Sequence, residues 1–231
     1  MKNNKIKLYS LTLIITLFIV AVPSNVFCIK NEELFIKNGP RDKKYLAITF
    51  DDGPHPKETE QVLDILKKHD VKATFFVAGK HVNWYSKPLI RASNEGHEIG
   101  NHTFNHPDIS NLSAIQIENE ILKCEEIIIK KTGKKPTLFR PPYGSYNEKK
   151  LGDIANKYGY KVVLWTTVDT KDWKNPTALS IANTIVNNAK NGDIILLHDY
   201  ATNNTVEALD IFIPEMQKKG YKFVTVSELY N

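Results

Sequence analysis

The sequence predicts an α/β fold in which parallel strands alternate with helices in one domain. Three observations point there. From Lys44 onward, short apolar runs rich in strand formers alternate with segments of helical periodicity. Runs such as residues 194–197 are apolar without alternation, as expected of strands buried on both faces. Six or more strand–helix units can be traced, which favours a closed or nearly closed barrel. An open doubly wound sheet is the alternative, although no GxGxxG or P-loop supports nucleotide binding.

The elements follow in order. Residues 45–50 form the first strand, and residues 59–69 a helix with Val62, Ile65 and Leu66 on one face. Residues 73–78 are again strand-like. Ser86 can cap a helix that has Pro88 in its first turn and ends at Gly96. Ser113 and Gln116 form a capping box before a long helix ending at Gly133, whose apolar stripe is Ile117, Ile121, Cys124 and Ile128. Residues 147–158 read as helix and 161–168 as a β-branched, aromatic strand. Residues 179–190 are helical, 193–197 strand, 206–218 helix and 222–226 the last strand. No repeat or Gly/Pro/Ser-rich linker divides this region, so residues 44–231 form one domain and 29–43 a short tether.

Residues 1–28 read as an export signal, cleaved or kept as an N-terminal membrane anchor. Lys2, Lys5 and Lys7 precede an apolar run over residues 8–22, softened by Ser10, Thr12 and Thr16 and broken at Pro23. The run is shorter than the ~20 residues of a typical spanning helix. The expected location is therefore outside the cytoplasm: secreted, wall-associated or anchored on the outer membrane face. Losing the three leader lysines lowers the formal charge from +5 to +2, which gives no basis for nucleic-acid binding. The apolar fraction of 42% is enough for a packed core. Cys28 lies at the leader's edge and Cys124 on a buried helix stripe, so no disulfide is expected and the core alone must stabilise the domain.

In parallel α/β folds, sites gather at the C-terminal ends of strands. Here Asp51 and Asp52 follow the first strand, Arg140 follows residues 136–139, Asp169 and Asp172 follow 161–168, and His198 and Asp199 follow 193–197. In Asp51-Asp52-Gly53-Pro54, neighbouring extended residues point opposite ways, so one carboxylate can bind a cation while the other handles a proton. An Asp-rich turn is the competing reading. His102 and His106, four apart, would share one face if the segment were helical. With Asp52 they would make two imidazoles and a carboxylate, leaving positions open for water and substrate. The same set serves non-haem iron oxygenases. Hydrolysis explains better why further acidic, basic and imidazole groups stand at neighbouring strand ends. His55, His69, His81 and His97 have ordinary turn, surface or packing readings.

Together, Thr49-Phe50-Asp51-Asp52-Gly53-Pro54, the segment from His102 to His106, Arg140-Pro141-Pro142-Tyr143, Asp169-Thr170-Lys171-Asp172-Trp173 and Leu196-Leu197-His198 resemble the five ordered motifs of polysaccharide deacetylases. These are esterases with a nodulation-protein-B homology domain (carbohydrate esterase family 4). The resemblance runs from about Tyr45 to the C-terminus. It implies a distorted (β/α) barrel with about seven parallel strands. It further implies a divalent metal, zinc first and cobalt, manganese or nickel as alternatives, held by Asp52, His102 and His106. Asp51 would be the general base, oriented by Arg140, and His198 the general acid, tuned by Asp172. Trp173 and Leu196 would line the pocket for the acetyl methyl, and the Tyr143 backbone N–H would help hold the oxyanion. Asp169 matches without an evident role. The implied partner is an N-acetylated glycan acted on by a monomer. Peptidoglycan ranks first, chitooligosaccharides second and O-acetylated xylan third. A non-catalytic glycan-binding module would be expected to lack a ligand or the base, and here every group is present.

Overall fold

The protein is described by a computed structural model over residues 34–166, 168–201 and 204–230. The expected leader, residues 1–28, lies outside the described residues. Among those described, no helix is long and apolar enough to cross a membrane.

The strands are β1 (Phe35–Ile36), β2 (Tyr45–Asp51), β3 (Thr74–Val77), β4 (Glu98–Asn101), β5 (Leu138–Phe139), β6 (Lys161–Val163), β7 (Asp193–His198) and β8 (Lys222–Phe223). Their spatial order is β1-β6-β5-β4-β3-β2-β7, with β8 paired separately to β2, and the ladders are parallel. Parallel neighbours need crossovers, and helices supply them. α1 (Glu58–Lys68) joins β2 to β3, and α2 (Gly79–Trp84) with α3 (Ser86–Asn94) joins β3 to β4. α4 (Ala114–Thr132), α5 (Glu148–Tyr158), α6 (Ala178–Asn188) and α7 (Thr205–Lys218) make the next connections, and α8 (Val226–Tyr230) comes last.

The sheet curls until its two edges meet through irregular backbone. Thr166 N–H donates to Ile194 O at 3.1 Å, Asp169 bridges Leu196, and Asn38 bridges Asp193. The result is the expected distorted barrel, with a seam where a regular barrel would have a full strand. β2 is buried from Leu46 through Asp51, as its unbroken apolar run predicts, and Phe50 stacks on Phe75 with centroids 5.0 Å apart.

The long helix α4 starts as its sequence predicts. Ser113 and Gln116 form a reciprocal capping box, and Gly133 ends the helix in the left-handed region at φ 71°. Asn147 caps α5 through its side chain. Ser86, by contrast, is the first residue of α3, and Tyr85 before it provides no side-chain cap.

Three details go beyond the sequence reading. Within the expected tether over residues 29–43, the described residues 34–43 pack on the barrel: Leu34 and Ile36 are buried, and β1 pairs with β6. The strand expected over 161–168 ends at Val163, because the following backbone leaves β6 to reach β7 across the seam. β4 was not expected, since Glu98-Ile-Gly-Asn is short and carries a glycine. Cys124 is fully buried, and its thiol donates to Val77 O at 3.4 Å.

Candidate active site

Because the strands are parallel, their C-terminal ends share one mouth of the barrel. β2 ends at Asp51, and Asp52 turns into the left-handed region at φ 74°. This turn separates the two carboxylates. Asp51 is buried, and its Oδ1 accepts from Arg140 Nη1 at 2.7 Å. Asp52 instead faces the histidines: its Oδ1 lies 3.0 Å from His106 Nε2 and 3.6 Å from His102 Nε2.

His102 follows β4, and its ring is fixed by Nδ1–H donating to Arg140 O at 2.7 Å. That assignment leaves the Nε2 lone pair facing Asp52. The segment from His102 to His106 is not helical: Thr103 and His106 take φ 67° and 62°. Side chains hold this unusual path. Asn101 Oδ1 accepts from Thr103 N–H, and Thr103 Oγ1 accepts from His106 N–H. From α4, the Glu120 carboxylate accepts from Phe104 N–H at 3.0 Å and Asn105 N–H at 2.7 Å. The two rings thereby reach one point by a loop rather than a helix face.

Asp52, His102 and His106 each present a ligand atom within 4.8 Å of the others. Asp52 Oδ1 is buried without a hydrogen bond of acceptable geometry, despite its close approach to His106. A carboxylate oxygen and two imidazole nitrogens that converge in this way fit a divalent cation, and the N₂O donor set suits zinc with positions left open. Burial pushes the Asp52 carboxyl up, but the His106 and His102 imidazoles outweigh it and hold it well below the usual carboxylate range. Burial pulls His102 down, which favours the neutral form a ligand needs.

Asp51 Oδ2 stands 3.7 Å from His102 Nε2, beside the ligand set. Arg140 is fully buried and its donors are well partnered. Nη1 also donates to Thr49 Oγ1, Nε to Val163 O and Nη2 to Leu164 O. The guanidinium lies 4.1 Å from the Phe76 ring centroid. Such enclosure is tolerable for a charge only with this degree of pairing.

His198 ends β7 and meets Asp172 on the turn after the seam. Asp172 Oδ1 is 2.8 Å from His198 Nδ1, while Oδ2 accepts from His198 N–H at 2.7 Å and Thr205 Oγ1 at 2.9 Å. Burial opposes the charged imidazole, but Asp172 prevails and His198 is pushed up to about 9.

Tyr143 takes φ 60° and sets its ring edge-on to His106 at 4.7 Å, with 68% of the residue exposed. Trp173 is 57% exposed, whereas Leu196 is buried in β7. Asp169 Oδ1 accepts from Lys171 N–H and shapes the turn. Of the histidines expected to be ordinary, His69 meets Asp210 on α7, and His97 is buried, with burial pulling it down to about 4. His81 is not ordinary. Its Nδ1 lies 2.6 Å from Asp52 O, and its ring stacks on Tyr200 at 4.1 Å. Sequence reasoning also missed Asn101 and Glu120, and it quoted Thr49 in a motif without foreseeing its bond to Arg140. Only nearness to a motif hints at Asn101, and for Glu120 not even that.

Several known proteins are similar to this chain. The family model described as polysaccharide deacetylase matches residues 38–163. A peptidoglycan-N-acetylglucosamine deacetylase of Bacillus cereus is 48% identical over 193 residues, covering 82% of this chain and 90% of the relative. The crystal structure of the Bc1960 peptidoglycan N-acetylglucosamine deacetylase superposes with a TM-score of 0.82 at 39% identity, covering 86% of this chain and 94% of that one. A CE4 family pseudoenzyme from Bacillus anthracis is also similar, with a TM-score of 0.80 at 33% identity, covering 85% of this chain and 69% of that one. The fold alone therefore does not carry activity, which depends on the groups at the site. By its sequence match and its architecture, the chain belongs to the polysaccharide deacetylase family.

Proposed function

We propose that this chain hydrolyses N-acetyl groups on an N-acetylglucosamine-containing polysaccharide, with peptidoglycan as the substrate, and releases acetate. One observation carries the reading: a His₂Asp cation site, a carboxylate beside it and a carboxylate-charged histidine share one barrel mouth. A divalent ion held by Asp52, His102 and His106, zinc on the donor chemistry, would polarise the acetyl carbonyl and acidify a bound water. Asp51 takes the water's proton at Oδ2, because Oδ1 is committed to Arg140. Arg140 holds that carboxylate in place. The Tyr143 backbone N–H supports the oxyanion, and Trp173 and Leu196 border the acetyl methyl. His198, charged and held by Asp172, protonates the departing amine, which is a poor leaving group without that proton. The named relative of Bacillus cereus supports the choice of glycan, and the basic-apolar leader supports export to the wall.

The full chain, incubated without oxygen, should release acetate from peptidoglycan in preference to chitooligosaccharides and acetylxylan. A chelator should abolish the release, added zinc should restore it, and His102→Ala should show none. Preferred release from either other substrate would reassign the glycan. Silence on all three after zinc, cobalt and manganese are each restored would overturn the catalytic reading.

A further inference from the structure

The residue after His198 has no part in the chemistry above, yet its side chain is buried against the cation site's own loop. Asp199 Oδ1 accepts from Gly53 N–H at 3.1 Å, and Oδ2 accepts from Thr59 Oγ1–H at 2.5 Å. The Thr59 hydroxyl in turn accepts from His55 N–H at 2.7 Å. Asp199 N–H also approaches Asp51 O at 3.4 Å. One side chain thus reaches from the end of β7 to the turn after β2 and to the first turn of α1.

What it grips is the peptide between Asp52 and Gly53. The opposite side of that stretch is held by His81 Nδ1–H on Asp52 O at 2.6 Å and by Ala78 N–H on Gly53 O at 2.9 Å. Between these anchors Asp52 occupies the left-handed region at φ 74°, which is unfavourable for a residue with a side chain. The surrounding structure must hold such a conformation in place. Gly53 fits because it lacks a side chain: a Cβ there would overlap both carboxylate oxygens of Asp199.

We infer that Asp199 is a positioning residue: it pins the Asp52–Gly53 peptide in its left-handed turn and so aims the Asp52 carboxylate at the point shared with His102 and His106. This rests on the cation site proposed above. The alternative is a carboxylate that only stitches β7 to α1, and the two differ in what happens to metal affinity.

The test titrates zinc against a chromophoric chelator with the full chain and with Asp199→Ala, Asp199→Asn, Gly53→Ala and the double variant Gly53→Ala/Asp199→Ala. Asp199→Ala should bind zinc about 10–100-fold more weakly, as removal of a group orienting a metal ligand does. Acetate release by this variant should recover in excess zinc, which a merely weakened fold would not do. Asp199→Asn keeps an acceptor for Gly53 N–H and should lose less. Gly53→Ala should weaken binding comparably. The double variant should be no worse than Asp199→Ala, because the added methyl enters the space the carboxylate leaves. Unchanged zinc affinity in folded Asp199→Ala, or additive losses in the double variant, would overturn the inference. If Asp199→Ala does not fold, unchanged affinity in Gly53→Ala overturns it equally. A wild-type chain that binds no zinc, cobalt or manganese would instead remove the cation site itself, and the inference with it.

Discussion

His198 and Asp172 form a pair whose chemistry can be read from outside by pH. Asp172 holds His198 up to about 9 against the opposing effect of burial. The imidazolium is therefore present well below that pH and is lost as pH rises through it. If His198 is the acid for the leaving amine, the alkaline limb of kcat/KM should follow this loss. In Asp172→Asn the limb should move down towards the ordinary imidazole range near 6.5, with rate lost most above it. A pH–rate series on both proteins checks this, and a limb that stays in place would count against the pairing. These two residues, with Asp51, Asp52 and Arg140, were legible because a functional group at a predicted strand end is a local pattern, and His102 and His106 were legible from their spacing. The place of Asp199 at the end of β7 was legible too, but its grip on Gly53, like the contacts of His81 and Thr49, was not, because each acts on a residue distant in sequence that only the fold brings near.

Among the elements, the loop from His102 to His106 departs most from what its spacing suggested. Two histidines four apart would share a face if the segment were helical, but the positive φ angles at Thr103 and His106 give a loop instead. Glu120 makes that loop hold by receiving two of its backbone N–H groups from the neighbouring helix α4. Glu120→Ala should leave those donors without their acceptor, at a cost of about 1–3 kcal/mol. Zinc affinity should fall about tenfold as the two rings lose registry. Urea unfolding and chelator competition measure the two effects separately. Nothing in a helix-surface glutamate announces this role, whereas the capping box and terminal glycine of the same helix are signals carried by adjacent residues. Strand β4 escaped notice for a related reason: four residues with a central glycine carry too little periodicity to stand out.

For the molecule as a whole, the seam explains why the fold extends further towards the N-terminus than its motifs do. β1 lies beside β6, and Ile36 is buried between them and α8, packed with Val163 and Val226. Ile36→Ala should cost about 2–5 kcal/mol, the usual range for a cavity of that size in a core. An equilibrium urea transition would register this, while a mere tether would show no loss. The barrel class was legible because alternating strand and helix periods admit few architectures. The way the barrel closes was not, because irregular backbone such as Thr166 and Asp169 leaves no periodic trace in sequence.

Parallel pairing also sets a timetable. The bond between Gly53 and Asp199 spans 146 residues, and Asp51 lies opposite His198 across the β2–β7 ladder. A ribosome delivers the carboxylate proposed to bind the cation early and the proposed acid near the end. No fragment that stops before β7 holds both halves of the chemistry, and contacts of such long range make for slow folding. A deacetylase so arranged comes into being only after nearly the whole chain has been made, and for an exported chain that moment falls on the far side of the membrane.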